Sequence, residues 1–431
     1  MNLMSTSKEK IEVIDQYLWY GYLLPEYPPS WLHDDARTPC IGTRYDSDSV
    51  NELSDKVFEK ALQSSSSQCV VPISGGWDSR YILGHLCERQ CNIVCMSFGA
   101  PGQLDYEIGS AIARLTNSNH VAVDLYDVEV TWSDIEAAAY RAPWTYMPEA
   151  FLHHKAYEIA VKGCSGGGSI WSGFLGEALT GGHFDFSHQK ESLSKAAIMF
   201  ANSQRKSKSL VEGEAKDRAF TDRLCGLADQ SWKVTFRSQF DILVRQASGM
   251  APAVLGLGTE WKSGGLRLDE SDRSVDIIAP FIDRDWVKYW LYAPERALEK
   301  QGLYIEAASS RFPDLFSRPS KYTWGVANHQ RMRQLLLRTQ HSIRNRFHRH
   351  MPWLPIRSRL TDNYIDFQWA FRKRDDYIGV MERAIDVLKQ REAVPWLDLD
   401  RIWREHYRGK RDHAQALKVL LGLAVNLEVH G

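Results

Sequence analysis

Between residues 69 and 172, short runs of apolar residues alternate with stretches in which apolar positions recur at helical spacing. The runs have the length of buried strands, and the stretches between them have the length of helices. The predicted strands are Cys69–Ile73, Asn92–Phe98, His120–Leu125 and Ser169–Ser172, and the predicted helices are Ser79–Glu88, Asp105–Leu115, Ile135–Tyr140 and Ala150–Val161. This alternation predicts an α/β fold, a parallel twisted sheet with helices on both faces.

The stretches before and after this segment have different patterns. Residues 1–66 combine an aromatic, Pro-rich lead with a helical stretch around Val50–Leu62, and we expect them to form a cap on an α/β domain of residues 67–185. Over residues 186–431 the strand signal fades, and helical patterns punctuated by prolines continue. We therefore expect a mainly helical lobe after the sheet.

The composition is that of a folded globular protein. Of 431 residues, 44% are hydrophobic and 25% are charged, which excludes a disordered or fibrous chain. The 53 Lys and Arg residues balance 54 Asp and Glu residues, so the net charge of -1 gives no overall attraction to nucleic acid or anionic membranes. Seven cysteines, an odd number, favour a reducing compartment, and no run of about 18 apolar residues occurs. We expect a cytoplasmic protein without a membrane partner.

The most informative motif is Ser74–Ser79, with the sequence Ser-Gly-Gly-Trp-Asp-Ser, between a predicted buried strand and a predicted helix. The glycines let a phosphate approach the backbone N–H groups, the two serines add hydroxyl donors, and a helix start favours an anion. Asp78 suits this place if Mg²⁺ lies between its carboxylate and a polyphosphate, because this cation prefers oxygen ligands. The spacing matches neither the usual P-loop nor the dinucleotide fingerprint. The alternative is a tight strand-to-helix turn without a ligand.

The motif resembles the pyrophosphatase loop of enzymes that split ATP into AMP and pyrophosphate. Further motifs follow in the order found in the synthetase domain of asparagine synthetases and their relatives, which include β-lactam synthetases and lasso-peptide cyclases. These motifs are Ser97-Phe98-Gly99, Asp105 with Ala111 and Ala113, Ser172-Gly173-Phe174-Leu175-Gly176-Glu177, Gly181-Gly182, Pro280-Phe281-Ile282-Asp283, and Arg318 with Lys321. The resemblance covers most of the chain and implies a sheet of the adenine nucleotide α-hydrolase type.

The resemblance also implies a site for ATP and Mg²⁺. By position, Asp78 and Glu177 are similar to the two acids that coordinate Mg²⁺ on the triphosphate, although the family usually has Asp in the second place. Lys321 is similar to the lysine that stabilises developing negative charge, so Lys321, Asp78 and Glu177 are the candidate catalytic residues. The implied nucleotide-binding residues are Ile73, Ser74, Gly75, Gly76, Asp78, Ser79, Ser97, Phe98, Gly99, Ser172 and Gly173.

Each of these residues also has a reading without a ligand. Glu177 would then be an acid favoured by the dipole of a helix N-terminus. Phe98 would be a core residue, and Lys321 would be a solvated charge in a loop. Asp283 is expected to cap a helix that begins near Arg284.

Two departures from asparagine synthetases narrow the expected reaction. Those enzymes carry a Glu three residues before the second acid, where it assists the attack of ammonia, and Phe174 stands at that position here. We expect no glutaminase domain with its Cys after Met, because Asn2 follows Met1 and only residues 1–66 precede the α/β domain. We therefore expect the amine to come from the substrate, from free ammonia or from a separate ammonia source.

These features predict an asparagine synthetase-like carbon–nitrogen ligase that forms AMP. It would adenylate the carboxylate of a small molecule or peptide and transfer the acyl group to an amine or ammonia. Natural-product or peptide biosynthesis and amidation of a surface sugar acid are both compatible with this reaction. The alternatives are an ATP-pyrophosphatase-loop enzyme that modifies tRNA and a degenerate, non-catalytic partner subunit, which Phe174 and Glu177 would favour.

The stretch Arg331–Arg359 contains eight Arg and no acidic residue. It is a solvated helix, a wall of the active site near the pyrophosphate, or a docking surface for an anionic partner such as a leader peptide or carrier protein. Nucleic acid is the weakest of the anionic partners, because aromatic residues are not interleaved at single-strand spacing.

Cysteine and histidine clusters offer weaker signals. Cys87, Cys91 and Cys95 lack a Cys-x-x-Cys spacing and are predicted to be buried thiols, with Cys87 and Cys91 on one helix face. His153 and His154 each have a glutamate four residues away, but the two pairs point to different faces of a predicted helix. Neither cluster therefore predicts a metal site.

Overall fold

The computed structural model describes residues 7–23, 43–162, 164, 168–182, 207, 210, 264–267, 274–327, 330–350 and 364–431. The strands are β1 Gln68–Pro72, β2 Asn92–Gly99, β3 Asn119–Asp124, β4 Ser169–Trp171, β5 Gly264–Arg267 and β6 Ser274–Ile278. The helices are α1 Ser7–Tyr20, α2 Ser47–Gln63, α3 Asp78–Glu88, α4 Leu104–Leu115, α5 Trp132–Arg141, α6 Met147–Lys162, α7 Gly176–Leu179, α8 Arg284–Leu291, α9 Glu295–Leu298, α10 Gly302–Arg311, α11 Pro313–Phe316, α12 Arg331–His350, α13 Phe367–Lys373, α14 Asp375–Gln390, α15 Leu399–Tyr407 and α16 Ala414–His430. Short 3-10 helices cover Pro280–Ile282, Glu299–Gln301 and Lys321–Thr323.

The strands of the described residues form one sheet with the order β3-β2-β1-β4-β6-β5. The first five strands in this order are parallel, and β5 pairs with β6 in antiparallel fashion at the edge. Pro72 is aligned with Met96, and Gly99 is aligned with Asp124, so β1, β2 and β3 point their C-terminal ends to the same edge. The predicted α/β fold is confirmed, and so is the largely helical region that follows it.

Helices cover both faces of the sheet because successive side chains of a strand point to opposite faces. Val70 and Met96 lie in one core, which is completed by α1, α5, α6 and the four C-terminal helices α13 to α16. Cys69 and Val71 lie in the other core, which is completed by α2, α3, α4, α8, α10 and α11. The nearly continuous apolar sequence of β1 therefore reflects burial on both sides.

The sheet extends beyond the predicted boundary at residue 185. Strand β6 pairs with β4 through Ile170 with Ile277 and Trp171 with Ile278, although it lies within the segment predicted to be a helical lobe. Only three of its five residues are apolar, and polar residues precede it. The strand signal of β6 is therefore weak in the sequence, and its place in the sheet is fixed by burial of Val275 and Ile277.

The N-terminal helix α1 packs on the C-terminal helix rather than serving only as a cap on the residues after it. The Tyr17 hydroxyl donates a hydrogen bond to the carbonyl oxygen of Thr145 at 2.7 Å. A Cβ atom at Gly422 of α16 would lie 2.1 Å from that hydroxyl oxygen, which shows how closely the two helices approach. Residues 24–42, which include most of the Pro-rich lead, lie outside the described residues.

Two local predictions have opposite outcomes. Asp283 caps α8 as expected, because its carboxylate accepts a hydrogen bond from the N–H of Asp285 at 2.9 Å. The prediction that Cys87 and Cys91 share a helix face is wrong, because α3 ends at Glu88. Gln90 has a φ of 54°, so the chain turns before Cys91 and leaves it in the connection to β2.

Candidate active site

A cavity of about 260 Å³ lies at the C-terminal ends of β1, β2 and β4. This is the edge at which open parallel sheets bind their ligands. The cavity is lined by Pro72, Ile73, Ser74, Gly76, Trp77, Asp78, Ser79, Phe98, Asp105, His153, Tyr157, Ser172, Gly173, Phe174, Glu177, Lys321 and Tyr364. Of the candidate residues named from the sequence, Gly75, Ser97 and Gly99 do not line it.

The three candidates outside the cavity shape its wall. The Ser97 hydroxyl donates to the carbonyl oxygen of Ile73 at 3.3 Å, so it ties β2 to the end of β1. Gly99 has a φ of 140°, a conformation that side chains rarely allow, and it ends β2. The carbonyl oxygen of Gly75 accepts hydrogen bonds from the N–H of Lys321 and from the guanidinium group of Arg80. These three residues therefore hold the lining residues of the cavity in place without lining it themselves.

The loop Ser74–Ser79 is held by hydrogen bonds within the site. The N–H of Ser74 donates to Ser79 Oγ at 3.2 Å, and the N–H of Gly76 donates to Ser74 Oγ at 3.2 Å. The N–H of Gly75 donates to Asp105 Oδ1 at 2.8 Å instead of facing the cavity. Two donors of the loop that line the cavity are the hydroxyls of Ser74 and Ser79, which lie 3.3 Å apart.

Two carboxylates from separate loops meet beside this loop. Asp78 opens α3, and its Oδ2 accepts a hydrogen bond from the N–H of Glu177 at 2.6 Å. Its Oδ1 accepts a hydrogen bond from the Tyr304 hydroxyl at 3.2 Å. Burial, followed by repulsion from Glu177, raises the pKa of Asp78 to about 7, although one side of Asp78 faces the cavity. The predicted pair of acids is thus brought together, and Tyr304 is an additional partner.

Gly176 makes this close approach possible. A Cβ atom at this position would lie 2.4 Å from Asp78 Cγ and 2.7 Å from both carboxylate oxygens. Gly176→Ala is therefore expected to displace the Asp78 carboxylate and to lower the free energy of unfolding by about 1–3 kcal/mol. Thermal unfolding and titration with Mg-ATP measure the two effects.

Gly379→Ala is the matched control for Gly176→Ala. Gly379 lies inside α14, and nothing lies within 4 Å of a Cβ atom built there. Alanine at this position should stabilise the protein by up to about 1 kcal/mol, because glycine is unfavourable inside a helix. If both variants behave alike, the close approach of Gly176 to Asp78 does not constrain the site.

Lys321 is placed against the loop by its own backbone. Its N–H donates to the carbonyl oxygen of Gly75 at 3.0 Å. Its Nζ lies 3.9 Å from Glu177 Oε2 and 5.3 Å from the centre of the Tyr322 ring. The lysine predicted from the sequence therefore faces the same cavity as the two acids, and the three charges form one cluster.

Arg80 holds the Lys321 segment and the loop together from below. Its guanidinium group is fully buried and donates to the carbonyl oxygens of Leu315, Arg318 and Pro319 at 3.1, 3.0 and 2.5 Å. It also donates to the carbonyl oxygen of Gly75 at 3.4 Å. Burial lowers the pKa of Arg80 to about 10, so the group stays charged near neutral pH. Arg80 thus fixes the position of Lys321 relative to the loop.

The far end of the cavity is aromatic and neutral. The rings of Phe98 and His153 lie 5.0 Å apart, and His153 Nε2 lies 2.8 Å from the Tyr157 hydroxyl oxygen. Tyr364 completes this end, with its ring 6.1 Å from that of Phe98. Burial lowers the pKa of His153 to about 3, so the imidazole is neutral. Flat apolar groups fit against such a wall better than charged ones.

The sequence patterns do not predict the roles of several residues of the site. Asp105 was recognised only as part of a family motif, and its bond to Gly75 spans 30 positions. Tyr304 reaches Asp78 across 226 positions, so no local pattern links them. His153 was considered as a metal ligand, but no group of three His, Cys, Asp or Glu residues able to hold a metal occurs in the described part of the chain.

The comparisons leave the family resemblance as a prediction. No protein-family model matches the chain, and no curated protein matches it either. Within the described ranges, none of the helices combines the length and the apolar character needed to cross a membrane.

Proposed function

We propose that the protein is an AMP-forming carbon–nitrogen ligase that adenylates a substrate carboxylate and passes the acyl group to an amine or ammonia. One observation carries the proposal: a single cavity contains the serine hydroxyls of the loop, the acids Asp78 and Glu177, Lys321, and an aromatic end around Phe98. Hydroxyls and a cation suit phosphates, and the aromatic end suits a nucleobase. The cavity thus offers groups that suit the phosphates of ATP and a surface that suits its base.

The two acids fit a magnesium ion. Mg²⁺ is commonly held by one or two carboxylates, with phosphate oxygens and water as its other ligands. Asp78 and Glu177 supply two carboxylates on the same cavity, and each Asp78 oxygen keeps a lone pair beyond the one hydrogen bond described for it. When bound, Mg²⁺ would neutralise charge on the phosphates.

The protein groups would act by position and charge. Lys321 lies where it can stabilise negative charge that develops on the phosphate during attack by the carboxylate. The loop hydroxyls of Ser74 and Ser79 would donate to phosphate oxygens. Phe174 lines the cavity where a glutamate would assist ammonia, so an amine of the substrate is the favoured nucleophile. A separate ammonia source is the other option.

Within the described part of the chain, the state of the thiols gives no support to a tRNA-modifying reaction that transfers sulfur. Burial raises the pKa of Cys69 to about 11 and the pKa of Cys95 to about 12. The pKa values of Cys87 and Cys91 are also raised, first by burial. Because the thiolate is the reactive form, these cysteines are unreactive near neutral pH. They are compatible with the reducing cytoplasm in which we propose that the protein works.

ATP–pyrophosphate exchange in the presence of fractionated metabolites tests this function. Exchange should depend on a fraction that supplies the carboxylate, and Lys321→Met should lower it by roughly 100-fold or more because a charge is lost at the phosphates. Lys410→Met, at an exposed position in the connection between α15 and α16, is the control and should exchange normally. If no fraction supports exchange and calorimetry detects no binding of Mg-ATP, the protein is a non-catalytic relative and the proposal is wrong.

A further inference from the structure

Helix α12 has an inner face that rests on the segment following Lys321. The side-chain amide of Gln334 donates to the carbonyl oxygen of Ala327 at 3.1 Å. The ring of His341 lies 5.0 Å from the ring of Trp324. Leu337 is half-buried on the same side. Because these contacts hold one side of α12 against the protein, the opposite side of the helix points outward.

The outward side of α12 is apolar. At 100° per residue, its large apolar side chains fall within an arc about 120° wide, which does not include the positions of Gln334 and His341. Among the described residues, half of the ten exposed large hydrophobic side chains lie here: Met332 at 71%, Leu335 at 56%, Leu336 at 59%, Ile343 at 53% and Phe347 at 51% exposure. Single exposed apolar residues are ordinary, but a contiguous set marks a binding surface.

The hydroxyl groups near this arc need no outside partner. Thr339 Oγ1 donates to the carbonyl oxygen of Leu335 at 2.9 Å. Ser342 Oγ donates to the carbonyl oxygen of Arg338 at 2.9 Å. These two hydroxyls can therefore enter an apolar medium without losing hydrogen bonds, whereas Arg346, inside the arc, has to extend its charged end to the headgroups.

Arginines flank the apolar arc on both sides. Arg331 and Arg338 lie about 40–60° outside one border of the arc, and Arg333 and Arg344 lie about 40–60° outside the other. Arg346 lies inside the arc, about 20° from Leu335. Residues 331–350 contain six Arg and no Asp or Glu. Arginine can extend its charged end to a headgroup while its stem covers apolar surface. The charge thus complements an anionic surface at both edges of the arc.

We propose that the outer face of α12 docks on an anionic lipid surface, with the helix parallel to it. A broad apolar arc with basic borders is the pattern of helices that lie in the membrane interface. A helical protein partner would need only a narrower apolar seam, with charges of both signs to set its register. The overall charge predicts no membrane partner, and the proposal departs from that prediction only for a peripheral contact at α12.

Flotation of the full chain with lipid vesicles tests the proposal. At low salt, the protein should float with vesicles of two parts phosphatidylcholine to one part phosphatidylglycerol, and much less with phosphatidylcholine alone. The double variant Leu336→Glu/Ile343→Glu should bind at least about 10-fold more weakly, because it removes apolar burial. The triple variant Arg331→Gln/Arg333→Gln/Arg338→Gln should also lose more than about 10-fold and much of the salt dependence.

Tyr140→Glu is the control for the double variant. Tyr140 is a large side chain with 76% exposure on α5, so the variant adds a charge to another exposed site. It should bind vesicles as the parent does, and circular dichroism should show that all variants are folded. Absence of flotation of the parent with anionic vesicles overturns the proposal. So does a parent dimer that Leu336→Glu/Ile343→Glu dissociates without any change in vesicle binding.

Discussion

Asp78→Asn is expected to leave the protein folded and to abolish the Mg²⁺-dependent binding of ATP. The amide can still accept one of the two hydrogen bonds that Asp78 accepts from Glu177 and Tyr304. It cannot supply the negative charge that a hard cation prefers. Calorimetric titration with ATP, with and without Mg²⁺, measures the loss, and we expect binding to weaken by roughly 100-fold or more.

The same variant should be more stable than the parent above neutral pH. The pKa of Asp78 is about 7 in the folded protein and 3.8 without the fold, so the folded state retains a proton between these values. The parent therefore loses stability as pH rises from about 4 to 7, and Asn, which does not ionise, avoids this loss. Water that reaches the cavity reduces the effect, and we expect about 1–3 kcal/mol at pH 8.

Asp283→Asn is the control for the binding measurement. This residue lies outside the cavity, and asparagine can also cap α8. Binding of Mg-ATP should be unchanged in this variant. Equal binding in Asp78→Asn and the parent would contradict the role of Asp78 in holding the metal. If denaturation across the pH range shows that Asp78→Asn is no more stable than the parent above neutral pH, burial of the Asp78 charge does not reduce the stability of the protein.

Arg80→Met is expected to cause the largest loss of stability. The substitution keeps an unbranched side chain but leaves the carbonyl oxygens of Leu315, Arg318 and Pro319 without the donor that they share. Each buried acceptor left unpaired costs about 1–3 kcal/mol, so we expect a total loss of about 3–5 kcal/mol. Urea denaturation measures it directly.

Binding of Mg-ATP is a second measurement, which distinguishes an effect of Arg80 on the site from its effect on stability. If Arg80→Met remains folded at low temperature, Lys321 should lose its fixed position, and binding of Mg-ATP should weaken as well. Arg401→Met, at an arginine whose side chain is 66% exposed, should change stability by less than about 1 kcal/mol. Comparable losses of unfolding free energy in the two variants would show that the buried hydrogen bonds of Arg80 do not stabilise the protein more than an exposed arginine does.

The elements with regular patterns could be predicted from the sequence. The run at Cys69–Ile73 and the helix after it appear as β1 and α3, because both are buried and keep their period over several residues. Strand β6 could not be predicted in the same way. Its residues Ile277 and Ile278 pair with β4, more than 100 positions earlier, and no local preference records such pairing.

The candidate site was predictable where a residue type carries the chemistry. Asp78, Glu177 and Lys321 were chosen for charge and motif, and all three line one cavity. Whether they bind nucleotide and metal stays a prediction. Tyr304 and Arg80 contact residues more than 200 positions away, and the His153 ring lies against that of Phe98 from another element, so only the folded chain shows their part in the site.

The contacts of Arg80 also set the order in which the protein can mature during synthesis. Its carbonyl partners Leu315, Arg318 and Pro319 lie 235 to 239 positions further along the chain. Until the ribosome has made Pro319, the first strands can form while this guanidinium has no backbone acceptors from α11 and the residues after it. A nascent chain that stops earlier would lack this tie between the loop and the Lys321 segment, and incompletely folded chains are subject to aggregation and proteolysis. Completion of the cavity is therefore a late event that coincides with the synthesis of Lys321, for which we propose a role in the reaction.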